Sequence, residues 1–121
     1  MSLHALIVDD SSVMRKIVER SLRQAGLDLS KVSEAGNGAE ALSVLADHQV
    51  DLILCDINMP VMDGLEFIKQ VRALGYKGRV LVMSGRFSAS ACQAYQDLEV
   101  SGFLSKPFDI GMVATMLLQA D

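Results

Sequence analysis

Five side chains able to do chemistry stand directly after short apolar or mixed runs. Asp9 and Asp10 follow Ala5–Val8, Asp56 follows Leu52–Cys55, Ser84 follows Val80–Met83, and Lys106 follows Gly102–Ser105. Carboxylates brought close together repel unless protonated or neutralised, so a grouping of the three aspartates calls for a cation. Hard oxygen donors with room for water suit Mg2+, which takes a few carboxylates and keeps waters for a phosphate partner. Lys106 can neutralise a further charge and grip a phosphate oxygen, and Ser84 can donate a hydrogen bond to another. Gly85 leaves space for such a group to enter. Taken singly, each residue has an ordinary reading: Asp56 caps the next helix, Asp9 and Asp10 favour a helix N-terminus, Ser84 starts a loop, and Lys106 is a solvated lysine. Their common placement makes the chemical reading the stronger one.

That placement depends on the elements that precede each residue. Ala5–Val8, Leu52–Cys55 and Val80–Met83 are wholly apolar, as strands buried on both faces are. Lys31–Ala35 and Gly102–Ser105 are mixed, which suits edge strands. Between them lie helical patterns. The first starts at a cap on Ser11 or Ser12, places Met14, Ile17, Val18, Ser21, Leu22 and Ala25 on one stripe, and stops at Gly26. Next come Ala39–Ala46, with Ala41, Leu42, Leu45 and Ala46 inward, and Leu65–Leu74, with Leu65, Ile68 and Val71 inward. Ser88–Leu98 spaces Cys92, Tyr95 and Leu98 to pack, and Phe108–Gln119 closes the chain. Pro60 and Asp63-Gly64 mark a turn after Asp56.

Strand and helix thus alternate, predicting an α/β fold with a parallel sheet covered by helices on both faces. Three apolar strands in the centre and two mixed ones at the edges fit a flavodoxin-like, doubly wound (βα)5 sheet of order 2-1-3-4-5, an order taken from known doubly wound sheets. All strand carboxyl ends then share one edge, where open α/β sheets bind ligands. Strands one and three are neighbours in this order, so Asp9, Asp10 and Asp56 should converge.

The 121 residues predict a single domain over 1–121 with its own core. A net charge of −4 argues against direct nucleic-acid binding. Cys55 and Cys92 show no metal spacing and read as buried free thiols in a reducing compartment. With no apolar run of membrane length and no signal-peptide pattern, a cytoplasmic protein is expected.

From Leu6 onward the chain resembles receiver domains of bacterial two-component response regulators, in motif texture the stand-alone chemotaxis kind. The resemblance is carried by Val8-Asp-Asp-Ser-Ser-Val-Met-Arg-Lys-Ile-Val18, Asp56-Ile-Asn-Met-Pro-Val-Met-Asp-Gly64 and Lys106-Pro-Phe108. It implies that Asp56 takes a phosphoryl group from a phosphohistidine on a histidine kinase or phosphotransfer protein. Asp10, Asp56 and the backbone carbonyl of Asn58 would ligate Mg2+, with Asp9 assisting through water. Ser84 and Lys106 would hold the phosphoryl oxygens, and the Lys106-Pro107 bond would be cis. Ser84 and Phe103 would form a switch acting on the surface of helix four, strand five and helix five. Phe103 lacks the hydroxyl of the chemotaxis protein's tyrosine, so a hydrogen-bonded readout is absent there. Asn58 and Arg86 would tune the lifetime of the phosphorylated form.

The implied output is a downstream protein target or a fused output domain, with a homodimer through that surface left open. Tyr95 and Gln96 are what the surface offers in sequence. The implied receiver catalyses only its own phosphorylation and dephosphorylation. Three rivals are weighed against it. A haloacid-dehalogenase-type phosphatase needs a second Asp two residues after the nucleophile, where this chain has Asn58. A flavin-binding domain wants a phosphate loop where this chain has Asp9-Asp10. A degenerate receiver used only for protein contact is opposed by the intact set of site residues.

Overall fold

The computed structural model describes residues 3–57, 59, 61–84 and 88–105. Five strands alternate with four helices: β1 (Leu3–Val8), α1 (Ser12–Gln24), β2 (Leu29–Ala35), α2 (Gly38–Asp47), β3 (Leu52–Asp56), α3 (Gly64–Ala73), β4 (Arg79–Ser84), α4 (Ala89–Gln96) and β5 (Gly102–Ser105). The strands are all parallel and lie in the expected order β2-β1-β3-β4-β5. The wholly apolar strands are central, where both faces must be filled.

Period-two alternation sorts the strand side chains onto two faces. Leu6, Val8, Ile53, Cys55, Val80 and Val82 share a buried cluster with Ala41 of α2, Phe67, Ile68 and Val71 of α3, and Tyr95 of α4. Ala5, Ile7, Leu52, Leu54, Leu81, Met83 and Leu104 pack on the other face with Val18 and Leu22 of α1. Each fully buried large side chain contributes roughly 1.5–3 kcal/mol, so these two clusters are the fold's main support.

The helix starts follow local chemistry. Ser11, Asn37, Asp63 and Ser88 each accept, on the side chain, an amide of their helix's first turn. Gly26 and Gly75, at φ +93° and +89°, end α1 and α3 in a conformation that only glycine adopts cheaply.

Several inward assignments need correcting. Ile17 is 48% exposed, because the buried stripe of α1 is Val18, Ser21 and Leu22, and Ile17 stands a residue's rotation away from it. Ala46 is exposed and Val44 packs in its place. Phe67, not Leu65, fills the centre of α3, with Leu65 half-buried beside it. Cys92 is half-buried, while Cys55 is fully buried, and both are free thiols. The expected helix Phe108–Gln119 lies outside the described residues. No described helix is long and apolar enough to cross a membrane.

Candidate functional site

The register of the sheet sets the site. Val8 of β1 pairs with Cys55 of β3, which puts Asp9 level with Asp56. Asp56 pairs with Met83 of β4, so Ser84 stands one step further along the neighbouring strand. One carboxylate oxygen from each of Asp9, Asp10 and Asp56 comes within 4.8 Å of the others. Asp9 is 1% exposed and Asp56 6%, while Asp10 is exposed; Ser84 is 2% exposed. Two nearly buried carboxylates, a third open to solvent and a buried hydroxyl thus share one end of the sheet.

Local bonds hold the acidic residues in place. The Asp9 amide continues the ladder to the Ala35 carbonyl at 3.0 Å, and one Asp9 carboxylate oxygen accepts the Ser11 amide at 2.9 Å. Arg15 donates from Nη1 to the Asp9 carbonyl. Beyond Asp56, Ile57 donates its amide to the Met83 carbonyl at 3.1 Å, and the Gly64 amide reaches back to the Ile57 carbonyl at 3.3 Å. The acceptor loop is therefore tied at both ends.

Asp63-Gly64, expected to be a turn, does more specific work. Asp63 caps α3 by accepting the Glu66 amide at 2.9 Å. Gly64 begins α3 so near the strand end that a Cβ there would stand 2.8 Å from the Asp56 carbonyl oxygen and from the Ile57 Cα. Only a residue without a side chain permits this approach. The Tyr95 hydroxyl sits over the same spot, 3.2 Å from where that Cβ would be. Tyr95 is 4% exposed, so it packs into the core and does not present itself on a partner face. The Asp-Gly dipeptide was the one sequence signal for this junction; the close approach of two backbone segments beneath the Tyr95 hydroxyl was not legible there.

The charge of the cluster is felt by its neighbours. Burial pushes the Cys55 thiol well up, and the charges of Asp56, Asp9 and Asp63 push it further. Burial also raises the Tyr95 phenol, with Cys55, Asp63 and Asp56 adding to the effect. Cys55 is therefore an inert packing thiol, not a nucleophile or ligand. Among the described residues the cluster's donor set consists only of carboxylate oxygens, with an exposed member on the solvent side. That composition fits a hard divalent cation such as Mg2+ and excludes a thiolate or imidazole metal site.

Of the residues singled out in sequence, Asp9, Asp10 and Asp56 are brought together and Ser84 is placed on the next strand. Phe103 lies on edge strand β5, half-buried against the cluster that contains Tyr95. Asn58, Arg86, Lys106 and Pro107 lie outside the described residues. Arg15 is the residue beside the site to which sequence reasoning assigned no role, and Gly64 was expected only as part of a turn.

Residues 5–118 match the response regulator receiver domain family. The chain is 35% identical over 114 residues to the DNA-binding transcriptional regulator NtrC of Escherichia coli, covering 94% of this chain and 24% of that protein. It is 37% identical over 108 residues to the response regulator MprA of Mycobacterium bovis, covering 89% of this chain and 46% of that one. The chain thus spans less than half the length of these two relatives. Among solved structures, the chemotaxis protein CheY4 of Vibrio cholerae superposes with a TM-score of 0.87 at 32% identity, over 100% of both chains. With the order β2-β1-β3-β4-β5 already in place, the match is one of fold and sequence together: this chain belongs to the receiver domain family of two-component response regulators.

Proposed function

We propose that this receiver accepts a phosphoryl group on Asp56 from a phosphohistidine of a sensor kinase or phosphotransfer protein, with Mg2+ as cofactor. The observation that carries the reading is the convergence of Asp9, Asp10 and Asp56 within 4.8 Å at the carboxyl ends of β1 and β3. In the transfer, an Asp56 carboxylate oxygen attacks phosphorus, the P–N bond to histidine breaks, and the imidazole keeps the electron pair. The acyl phosphate so formed is later hydrolysed by water. Mg2+, held by Asp10, Asp56 and the Asn58 carbonyl with Asp9 acting through water, would neutralise the charge of the transferring group. Ser84 donates to a phosphoryl oxygen and Lys106 pairs with another, so the chain's contribution is positioning and charge.

The same reading makes the domain a signalling module that catalyses only its own modification. Its output passes through Ser84 and Phe103 to the face of α4 and β5, and from there to a partner protein or fused output domain. Arg86 and Asn58 set how long the phosphorylated form lasts. In this reading it works in the cytoplasm and touches neither nucleic acid nor membrane itself.

Incubation with acetyl phosphate and Mg2+, followed by intact mass, tests the proposal. A phosphate-sized gain in the wild type, lost in Asp56→Asn and in EDTA, is the expected result. No gain in the wild type would leave a degenerate receiver that works by protein contact alone.

A further inference from the structure

The bonds around Asp9 single out a residue in the first turns of α1. Arg15 donates from Nε to Glu34 Oε1 at 2.8 Å and from Nη1 to the Asp9 carbonyl. Its side chain is 18% exposed and that of Glu34 27%, so the pair is largely sheltered from water. The second Glu34 oxygen accepts from Lys16 Nζ at 2.9 Å. Glu34 lies on edge strand β2, and Arg15 therefore spans from the sheet edge across α1 to the end of β1.

We propose that Arg15 is a positioning residue for the Mg2+-binding aspartates, fixing the Asp9-Asp10 peptide, with Glu34 as the clamp that fixes Arg15. The inference rests on the reading that the aspartate cluster takes Mg2+. Among the bonds that hold Asp9 are its amide to Ala35, its carboxylate from Ser11 and its carbonyl from Arg15. The third sets the plane of the peptide that leads into Asp10, the exposed member of the cluster. Among the described residues, the bonds of Arg15 go to a carbonyl and to Glu34, and none goes to a carboxylate of the cluster. A cation placed to neutralise the aspartates would bond their oxygens; this one grips the backbone instead. The planar guanidinium is what makes both bonds at once, and a lysine ammonium cannot reproduce that fork.

Charge and position predict opposite signs, which makes the proposal decidable. A bystander cation near three carboxylates repels a divalent ion, so removing it would tighten Mg2+ binding. A positioning residue does the reverse. Calorimetric titration of the full chain with MgCl2, without phosphodonor and at fixed ionic strength, reads the difference. Arg15→Gln and Arg15→Lys should each weaken Mg2+ binding roughly tenfold, the usual scale for an outer-shell partner. Glu34→Gln, which leaves the arginine but frees it, should weaken binding by a smaller factor.

Thermal melts in EDTA show that each variant remains folded, and Arg15→Lys, which keeps charge and helix propensity, serves if Arg15→Gln does not fold. Tighter binding in Arg15→Gln, or unchanged binding in Arg15→Lys, overturns the proposal while leaving the metal site intact. A wild type that binds no Mg2+ overturns the metal reading, and this inference with it.

Discussion

The two edges of the sheet are built on opposite principles. At the amino edge, polar groups are matched with close partners. His4, 9% exposed, donates from Nδ1 to the Gln49 carbonyl at 3.0 Å and pairs through Nε2 with the Ser33 hydroxyl at 2.8 Å. The His4 amide donates to Asp51 Oδ2, and the Asp51 amide returns to the His4 carbonyl, both at 2.9 Å. Tyr76 donates to the Val50 carbonyl at 2.9 Å. Arg72 donates to the carbonyls of Leu98, Tyr76, Gly78 and Glu99 at 2.9–3.1 Å, tying α3 to the loop before β5. At the carboxyl edge, three carboxylates are crowded within 4.8 Å. The loop after Asp56 carries Val61, a β-branched residue at φ 69° and 84% exposed. One edge matches its polar groups with partners and the other crowds like charges where the chemistry is, while a left-handed non-glycine residue stands at each, Glu99 at φ 60° and Val61 at φ 69°.

If that division is right, the sign of a mutation's effect on stability should depend on its edge. Arg72→Ala should produce the largest change. It removes charge-assisted bonds to four carbonyls and leaves them to water, costing about 3 kcal/mol. Urea melts in EDTA should show the loss, while Mg2+ affinity measured on the folded variant stays at the wild-type value. A fall in Mg2+ affinity with it would mean that the two edges are coupled.

At the opposite edge the same melts should move the other way. Val61→Asn relieves a left-handed conformation that costs a β-branched residue about 1 kcal/mol, and gives up no buried surface. It should therefore stabilise the chain by about that amount, and a destabilised variant would show that Val61 bears no backbone strain. Asp10→Asn should stabilise the metal-free chain by up to about 1 kcal/mol, because Asp10 is exposed and solvent screens its repulsion. The same change should weaken Mg2+ binding, so its benefit in EDTA should disappear as Mg2+ is added. Equal stability in EDTA would show that the carboxylates are not in conflict without the ion.

The two edges also differ in how far the sequence reveals them. Asp9, Asp10, Asp56 and Ser84 were legible because each directly follows an apolar run, and strand order then puts their positions together. Which strands are central and which are edges followed from which runs were apolar and which mixed, and the order itself came from known doubly wound sheets. Long-range partnerships were not legible. The bond of Arg15 to Glu34 exists only because β2 lies beside β1, and nothing local marks either residue. Ile17 and Ala46 misled because a helical stripe is narrower than the set of apolar residues near it. Tyr95 reads in sequence both as spaced to pack and as part of the partner surface, and its burial bears out the first reading alone. The amino edge was missed as a unit, since His4, Asp51 and Arg72 satisfy backbone groups that sequence patterns do not display.

The smallest expected effect is a pH dependence confined to the amino edge. Burial, opposed by Arg72 and helped by Asp51, lifts the Tyr76 phenol from its ordinary value of 10.0 to about 12. Only the protonated phenol can donate to the Val50 carbonyl, so the bond and the shift have one origin. The folded value lies above the unfolded one, and between them the folded chain holds a proton that the unfolded chain has released. The contribution is therefore complete below pH 10 and is lost as pH rises from 10 through about 12. Partial solvent exposure of the ring screens it, so the neutral-pH benefit should be no more than that of one hydrogen bond, about 1 kcal/mol. Urea midpoints of wild type and Tyr76→Phe should differ by that much at neutral pH and draw together across the alkaline window. Tyr95, also raised by burial, is present in both chains and cancels in the difference. A gap that stays constant through the window would mean that the Tyr76 hydroxyl does not carry the bond that closes the amino edge.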